Sequence, residues 1–572
     1  MALTQPIWSR VDEAQHADFI IQLSHGIYPT ADTTLIDPET VRVMQSTGVF
    51  RFDDPGTYPA PDLSDIGPPP GGMSVAANAV WMSRHMWQLS YESQQTPGYY
   101  LLMVPAWSVA DTLGGTTFAV RALRVINALL IATLAPMAVT VAWRLFGRGA
   151  EVAAMAAMFA ILLPGLALNG TRVSNDALAG ALGGLCVLLA VNGAGQGFTW
   201  RCSILLGLAF GAGLLVKITL LGLAPAIALA MIWPALDASW AQRFVRAAVP
   251  AAIAAACLLA WFLVNLHLYG VPIPSARTSR LIDTAAMSPT PGLLLVDLAF
   301  FGLTFWSGEP LGVLPLAAPL AALGVLVSLI AGAGLIRLVS ARPRTVAGAP
   351  LAVAMAAGGA LVALALILPA TNAFRFAGPG RYAYPALPAE AALCALGLYV
   401  AIRHQLARRV LGSAYGVVAL AVIVAGAAGG SPPAQPGPQA PPDGSRVAAS
   451  GADGSLRGFS ITIDSVALDP AQKATWFHVT VENSGPDEAE WSPAPAVSTG
   501  SQVAHGDYSK STPLPGDVDS GQKLTGWLFV QLDPHLMHRG EAVRLRFAGV
   551  AVNGYAAVGD VLIDVNVDPL LQ

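Results

Sequence analysis

Ala349-Pro-Leu-Ala-Val-Ala-Met-Ala-Ala-Gly-Gly-Ala-Leu-Val-Ala-Leu-Ala-Leu-Ile-Leu368 carries no charged side chain. A run of this length matches the roughly 20 apolar residues that one helix needs to cross a bilayer core. Comparable runs flank it on both sides. Val125–Trp143, Val152–Leu168, Ala177–Val191, Cys202–Val216, Ile218–Leu236, Ala247–Leu266 and Leu314–Ile336 precede it, and Tyr384–Ile402 and Val410–Ala428 follow. About ten transmembrane helices are predicted, packed as an all-α polytopic membrane bundle.

Composition agrees. Of 572 residues, 54% are hydrophobic and 12% charged, against about 25% charged in soluble domains. The net charge of −4 gives no basic field, so a nucleic-acid partner is excluded. Cys186, Cys202, Cys257 and Cys394 all fall in apolar runs. They are read as buried core residues, with neither a disulfide framework nor zinc-ligand spacing.

Arginine placement orients the bundle, because basic loops stay in the cytoplasm. One set of short loops holds Arg144, Arg148, Arg201, Arg243, Arg246, Arg337, Arg342, Arg344, Arg403, Arg408 and Arg409. The opposite set holds Arg172, Lys217, Arg277, Arg280, Arg375 and Arg381, diluted by acids. Residues 1–118, the loop 267–313, the short loops 169–176 and 369–383, and the C-terminal region are then extracytoplasmic. The bundle itself is 119–430. Residues 1–118 begin without a signal peptide or apolar helix. A first helix is therefore expected to be missing, which would make about eleven in all.

Pro-rich sequence, Ser431-Pro-Pro-Ala-Gln-Pro-Gly-Pro-Gln-Ala-Pro-Pro442, opens a spacer placed at 431–454. Beyond it, at 455–572, the period becomes two: Phe459-Ser-Ile-Thr-Ile-Asp-Ser-Val466, Trp476-Phe-His-Val-Thr-Val-Glu-Asn483, Leu524-Thr-Gly-Trp-Leu-Phe-Val-Gln-Leu532 and Val543-Arg-Leu-Arg-Phe547. These read as antiparallel strands with turns at Asn483-Ser-Gly485 and Pro515-Gly-Asp-Val518. An all-β, immunoglobulin-like sandwich is expected, similar to small domains appended to bacterial envelope proteins.

Polar groups with chemistry cluster on the outer side. Asp12 and Glu13 are adjacent carboxylates near the start. Ser9 and Asp12 suit the cap of a helix running to Gly26, with Glu13 a favourable charge in its first turn. His16 falls one turn after Asp12 on the same face. In Tyr91-Glu-Ser-Gln-Gln-Thr-Pro-Gly-Tyr-Tyr-Leu-Leu-Met-Val-Pro105, Pro97 introduces an interfacial helix. Tyr99 and Tyr100 there suit either a membrane–water anchor or a binding role. In Asn169-Gly-Thr-Arg-Val-Ser-Asn-Asp176, Ser174 or Asn175 suits a helix cap, and Arg172 adds a cation. Lys217 interrupts an apolar pair of helices. It either snorkels to water or meets a lipid phosphate. Arg381, beside Tyr382 in Gly378-Pro-Gly-Arg-Tyr382, suits a phosphate as well as a surface position.

Four of these elements, Asp12-Glu-Ala-Gln-His16, Gln95-Thr-Pro-Gly-Tyr-Tyr-Leu-Leu102, Val173-Ser-Asn-Asp-Ala-Leu178 and Gly380-Arg-Tyr-Ala-Tyr-Pro-Ala-Leu-Pro388, resemble the GT-C superfamily of polytopic glycosyltransferases. The likeness covers roughly residues 8–430, and is nearest to a bacterial branch of predicted membrane proteins. It implies a polyprenyl-phosphate sugar donor, and Asp12 or Glu13 as the base that deprotonates an acceptor hydroxyl. It further implies inversion at the anomeric carbon. Arg381 or Lys217, and less favourably Arg172, would hold the leaving phosphate. His16, Tyr99, Asn175, Asp176 and Tyr382 complete the expected binding set. Asp12, Glu13, His16 and Asp176 also offer ligands to a divalent cation. The expected setting is a bacterial plasma membrane, in cell-envelope glycan or glycolipid assembly. A transporter or lipid flippase is the rival, though no internal repeat is visible. A non-catalytic envelope scaffold is the third alternative.

Overall fold

The computed structural model describes the chain apart from residues 1, 6, 9–11, 48–65, 69, 75–76, 79, 82–84, 233–238, 275–290, 309–316, 342–347, 372–379, 429–439, 443–444, 501, 508–509, 513 and 572. It divides into two compact units. One comprises Met1–Thr47, Ser90–Arg280 and Thr284–Ser431, and the other comprises Gly48–Leu89, Leu281–Asp283 and Pro432–Gln572.

The first unit is helical. Its elements are α1 (Glu13–Ser24), α2 (Pro38–Thr47), α3 (Gly98–Ala132), α4 (Leu134–Phe146), α5 (Ala150–Ile161), α6 (Pro164–Asn169), α7 (Asp176–Gln196), α8 (Trp200–Val216), α9 (Ala224–Ile232), α10 (Trp240–Tyr269), α11 (Pro291–Ser307), α12 (Ala317–Ala341), α13 (Gly348–Thr371), α14 (Leu387–Ala401) and α15 (Gln405–Ala428). Seven helical stretches among the described residues are long and apolar enough to cross a membrane. The chain is therefore a multi-pass membrane protein. Leu129, Leu263 and Ile336 lie on its outside, as expected of lipid-facing positions.

The helices depart from the expected spans where backbone chemistry intervenes. Val152–Leu168 is broken before Pro164, which starts α6 instead of continuing α5. Ile218–Leu236 opens as a 3-10 turn, Ile218–Leu223, before α9. Residues 233–236 of that expectation lie outside the described residues. The stretch 267–313, read as a loop, contains the apolar helix α11. The expected interfacial helix after Pro97 runs on into the first span, with a break at Gly114-Gly115. Gly115 takes φ 73° there, the left-handed region that a residue with a Cβ enters at a cost.

Close packing explains the glycine content of the spans. A Cβ at Gly334 of α12 would lie 1.8 Å from the Gly397 carbonyl oxygen of α14. Only small residues let two helix backbones meet at that distance.

In the second unit, β1 (Arg446–Leu456), β2 (Phe459–Asp469), β3 (Ala474–Asn483) and β8 (Lys523–Val530) form one sheet in the order β1-β2-β3-β8. The other sheet runs β6 (Val503–His505), β5 (Ala496–Ser498), β9 (Ala542–Val552), β4 (Ala489–Glu490), β7 (Asp517–Val518), with β10 (Ala557–Asn566) also on β9. Alternate residues of both sheets, among them Ile461, Val479, Leu528, Val497, Leu545 and Ile563, share one buried core. That arrangement is a β-sandwich. Strand β1 begins at Arg446, inside the stretch read as spacer. Its sequence, Arg-Val-Ala-Ala-Ser-Gly-Ala-Asp-Gly-Ser-Leu, has too little apolar alternation to signal a strand.

Candidate functional site

The site starts where α1 starts. Asp12 occupies the N-cap position with φ 55°, yet its side chain caps nothing. This corrects the capping expectation; Ser9, the other cap residue, lies outside the described residues. The left-handed turn points the carboxylate elsewhere. The Tyr91 hydroxyl donates to Asp12 Oδ1 at 3.0 Å, and Arg381 Nη2 donates to Oδ2 at 3.3 Å. The Asp12 side chain keeps 19% of its surface exposed.

Glu13 has a different environment. It is fully buried, and Arg124 of α3 grips it through Nε at 2.8 Å and Nη2 at 2.5 Å. The Val173 backbone N–H donates to its Oε1 at 2.8 Å. Both oxygens are thus held by cationic or backbone donors, in the bidentate geometry that arginine favours. The pair fixes α1 against α3 and the 169–176 turn.

His16 faces the same space as Asp12. Its Nδ1 shares a hydrogen bond with the Tyr100 hydroxyl at 2.7 Å and lies 3.5 Å from Glu92 Oε2. Burial lowers the imidazole to about 4, with Asp12 and Asp176 opposing that fall. The ring is neutral at physiological pH, with its lone pair available. Glu92, in the 3-10 turn Tyr91–Gln94, is buried. Burial, reinforced by the Asp12 charge, pushes its carboxyl up to about 8. One ligand atom each from Asp12, His16 and Glu92 fall within 4.8 Å of one another. Asp12, a neutral imidazole and, once it gives up its proton to a cation, Glu92 form a donor set suited to a divalent cation. Glu92 Oε2 accepts no hydrogen bond among the described residues.

The cations come from the end of α8 and from the 3-10 turn Gly380–Ala386 before α14. Lys217 ends α8 and is ion-paired to Oδ1 of Asp176, the first residue of α7. It also sits over the Tyr382 ring, 5.2 Å from the centroid. Arg381 Nε stands 3.8 Å from Asp176 Oδ2. Lys217 is buried, so it does not snorkel to water as one reading had it. Asn175 does not cap α7 with its side chain either; its Nδ2 donates to the Val216 carbonyl at 3.1 Å. That bond ties the start of α7 to the end of α8, and so fixes Asp176 beside Lys217.

Tyr99 and Tyr100 are fully buried, which corrects the interfacial-anchor reading. The Tyr99 hydroxyl accepts from Asn127 Nδ2 at 2.9 Å, and the same Nδ2 donates to the Arg172 carbonyl. Arg172 Nη1 donates to Asn169 Oδ1 at 3.0 Å. These residues brace the 169–176 turn around the site. Apolar tyrosine rings in an apolar stretch hid their polar tips from a sequence reading.

Sequence reasoning missed Tyr91, Glu92 and Arg124. Glu92 stands in a quoted motif, and a carboxylate among aromatic residues before a helix was the available signal. Arg124 had none, because its partner lies 111 positions away.

A scan against protein-family models and a search of curated proteins match nothing. Among solved structures, the chain is similar to ArnT from Cupriavidus metallidurans bound to undecaprenyl phosphate: 12% identity and TM-score 0.36, over 66% of this chain and 59% of that one. The apo form of ArnT gives 14% identity and TM-score 0.35, over 66% and 58%. The Archaeoglobus fulgidus oligosaccharyltransferase in its apo form gives 14% identity and TM-score 0.38, over 59% and 48%. The chain spans less than two thirds of the length of either protein.

Proposed function

We propose that the chain is an inverting membrane glycosyltransferase. It moves a hexose or pentose from a polyprenyl-phosphate donor to an acceptor hydroxyl on the extracytoplasmic side, in cell-envelope glycan or glycolipid assembly. One observation carries the reading. A partly exposed carboxylate, Asp12, lies against Arg381, which reaches Asp176 and through it Lys217. Base and phosphate-binding cations thereby adjoin in one cluster.

Asp12 is the base. It takes the acceptor proton as the acceptor oxygen attacks the anomeric carbon. The bond from that carbon to the phosphate oxygen breaks, and the phosphate leaves with the electron pair. Arg381 and Lys217 stabilise the developing charge in a site with little water. Glu13 is a positioning residue, because Arg124 and the Val173 N–H occupy its oxygens. A divalent cation held by Asp12, His16 and Glu92 would supply further positive charge near the phosphate. On this reading, the C-terminal sandwich lies outside the cytoplasm with the site.

The test is transfer by the purified full chain in lipid nanodiscs, given a panel of labelled polyprenyl-phosphate hexoses and pentoses. Release of free polyprenyl phosphate with an acceptor supports the reading. No turnover with any donor sinks it.

A further inference from the structure

Trp200-Arg-Cys202 opens α8, and Trp240-Ala-Gln-Arg-Phe-Val-Arg246 opens α10. The two helices run side by side in the same direction. A Cβ at Gly207 of α8 would stand 2.8 Å from Pro250 Cα and 2.7 Å from Ile253 Cδ1 of α10, and one at Gly211 would stand 2.9 Å from Cys257 Sγ. The contacts advance together along both helices, so the pair is parallel. Followed back at the same offset, Arg201 comes level with Arg243 and Arg246. These two share the helix face of Pro250, which packs on α8. The guanidinium groups of Arg201, Arg243 and Arg246 therefore gather at one membrane boundary. That boundary is remote from the transfer site, because Lys217 stands at the other end of α8, roughly 25 Å along a helix of this length.

Other arginines at this end of the bundle have partners. Arg408 is paired with Glu151 through two nitrogens, and Arg144 Nε donates to Asn192. Arg243 lies over the Trp240 ring, 5.3 Å from its centroid. The side chains of Arg201 and Arg246 form no ion pair or hydrogen bond among the described residues. Like charges held level repel one another, and the positive ends of both helix dipoles add to the field. An anion between the helix starts would relieve that repulsion.

The surroundings say which anion. Trp200, Trp240 and Phe244 are exposed beside the arginines, the place of aromatic side chains at a membrane–water interface. Ile204, Leu205 and Leu208 continue the face of Arg201 along α8 and are exposed as well. A soluble anion would use the arginines and leave this apolar face unused. A phospholipid uses both. We propose that the paired starts of α8 and α10 bind an anionic glycerophospholipid. Arg201, Arg243 and Arg246 hold its phosphate, and its acyl chains lie along Ile204, Leu205 and Leu208. The site does not depend on the transfer chemistry above.

The full chain in phosphatidylcholine liposomes, doped with a photoactivatable phosphatidylglycerol or the matching phosphatidylcholine probe, tests it. The phosphatidylglycerol probe should label the Trp200–Leu208 and Trp240–Val249 segments more strongly, by about fivefold for each arginine engaged. Equal labelling by the two probes in the native protein would overturn the site. Arg201→Gln with Arg246→Gln should cut the excess about 25-fold, whereas Arg201→Lys with Arg246→Lys should keep most of it. Arg337→Gln with Arg409→Gln removes as much charge from exposed positions at the same end of the bundle and should leave the labelling unchanged. An equal loss in that control would assign the effect to the charge of the whole face and overturn the site. Millimolar inorganic phosphate should not compete. If it abolished labelling, the site would take a soluble anion, and the lipid would be overturned as its occupant.

Discussion

Arg381 Nη2 lies 3.3 Å from Asp12 Oδ2, across 369 positions of sequence. The contact joins the left-handed turn before α1 to the 3-10 turn before α14. It holds the Asp12 carboxylate beside a cation without burying it completely.

Asp12→Asn isolates the role of the charge. The amide oxygen still accepts from the Tyr91 hydroxyl, so the turn is retained, but the base is gone. The expected result is a fall in kcat of about 10²–10⁴-fold, typical of a lost general base. The KM for donor should move much less. Steady-state transfer rates check this, and an unchanged kcat would remove Asp12 from the mechanism.

Arg381 and Lys217 should separate by geometry. Arg381 contacts Asp12 and Asp176 through different nitrogens, a spread that lysine cannot reproduce. Arg381→Lys should weaken binding of polyprenyl phosphate about tenfold, equivalent to about 1.4 kcal/mol. Lys217→Met should weaken it too, and should destabilise the fold by leaving Asp176 short of a partner. Adding Asp176→Asn to Lys217→Met should recover stability but not affinity. Lipid-phosphate titration and thermal unfolding in the same detergent tell these apart.

Length and apolarity alone made the membrane bundle legible, because a bilayer imposes a composition that no soluble helix needs. The β-sandwich was legible wherever period-two alternation was strong, as at Phe459-Ser-Ile-Thr-Ile463. It was not legible at β1, an edge strand with no buried residue that is held by its ladder with β2. The acidic pair could be found but not divided. Nothing in Asp12-Glu13 says that Arg124 will neutralise one and leave the other partly exposed. The break of α5 before α6 was signalled by Pro164, and α11 was lost because it sits in a long segment read whole as a loop.

The Glu13–Arg124 pair gives a stability prediction distinct from activity. Arg124→Met takes the guanidinium away from a fully buried carboxylate, which should cost about 3–5 kcal/mol. Glu13→Gln added to it removes the stranded charge and should recover part of that loss. A double-mutant cycle on thermal unfolding measures the coupling. Additive single effects would mean that the two side chains do not pair in the folded protein.

Asp18 predicts a pH dependence. It is buried on α1, and its Oδ1 accepts from the Asp37 N–H at 2.7 Å and the Thr40 hydroxyl at 3.2 Å. Burial outweighs these bonds and raises the carboxyl from its ordinary 3.8 to about 7. The folded state therefore holds a proton that the unfolded chain has released. This contribution to stability is complete below about pH 4 and is lost as pH rises through about 7, an effect on the order of a few kcal/mol at most. Asp18→Asn keeps the acceptor and removes the titration. Its melting temperature should exceed that of the native protein at pH 8, and the gap should narrow steadily toward pH 5. A constant gap across that range would show that Asp18 does not exchange a proton on unfolding.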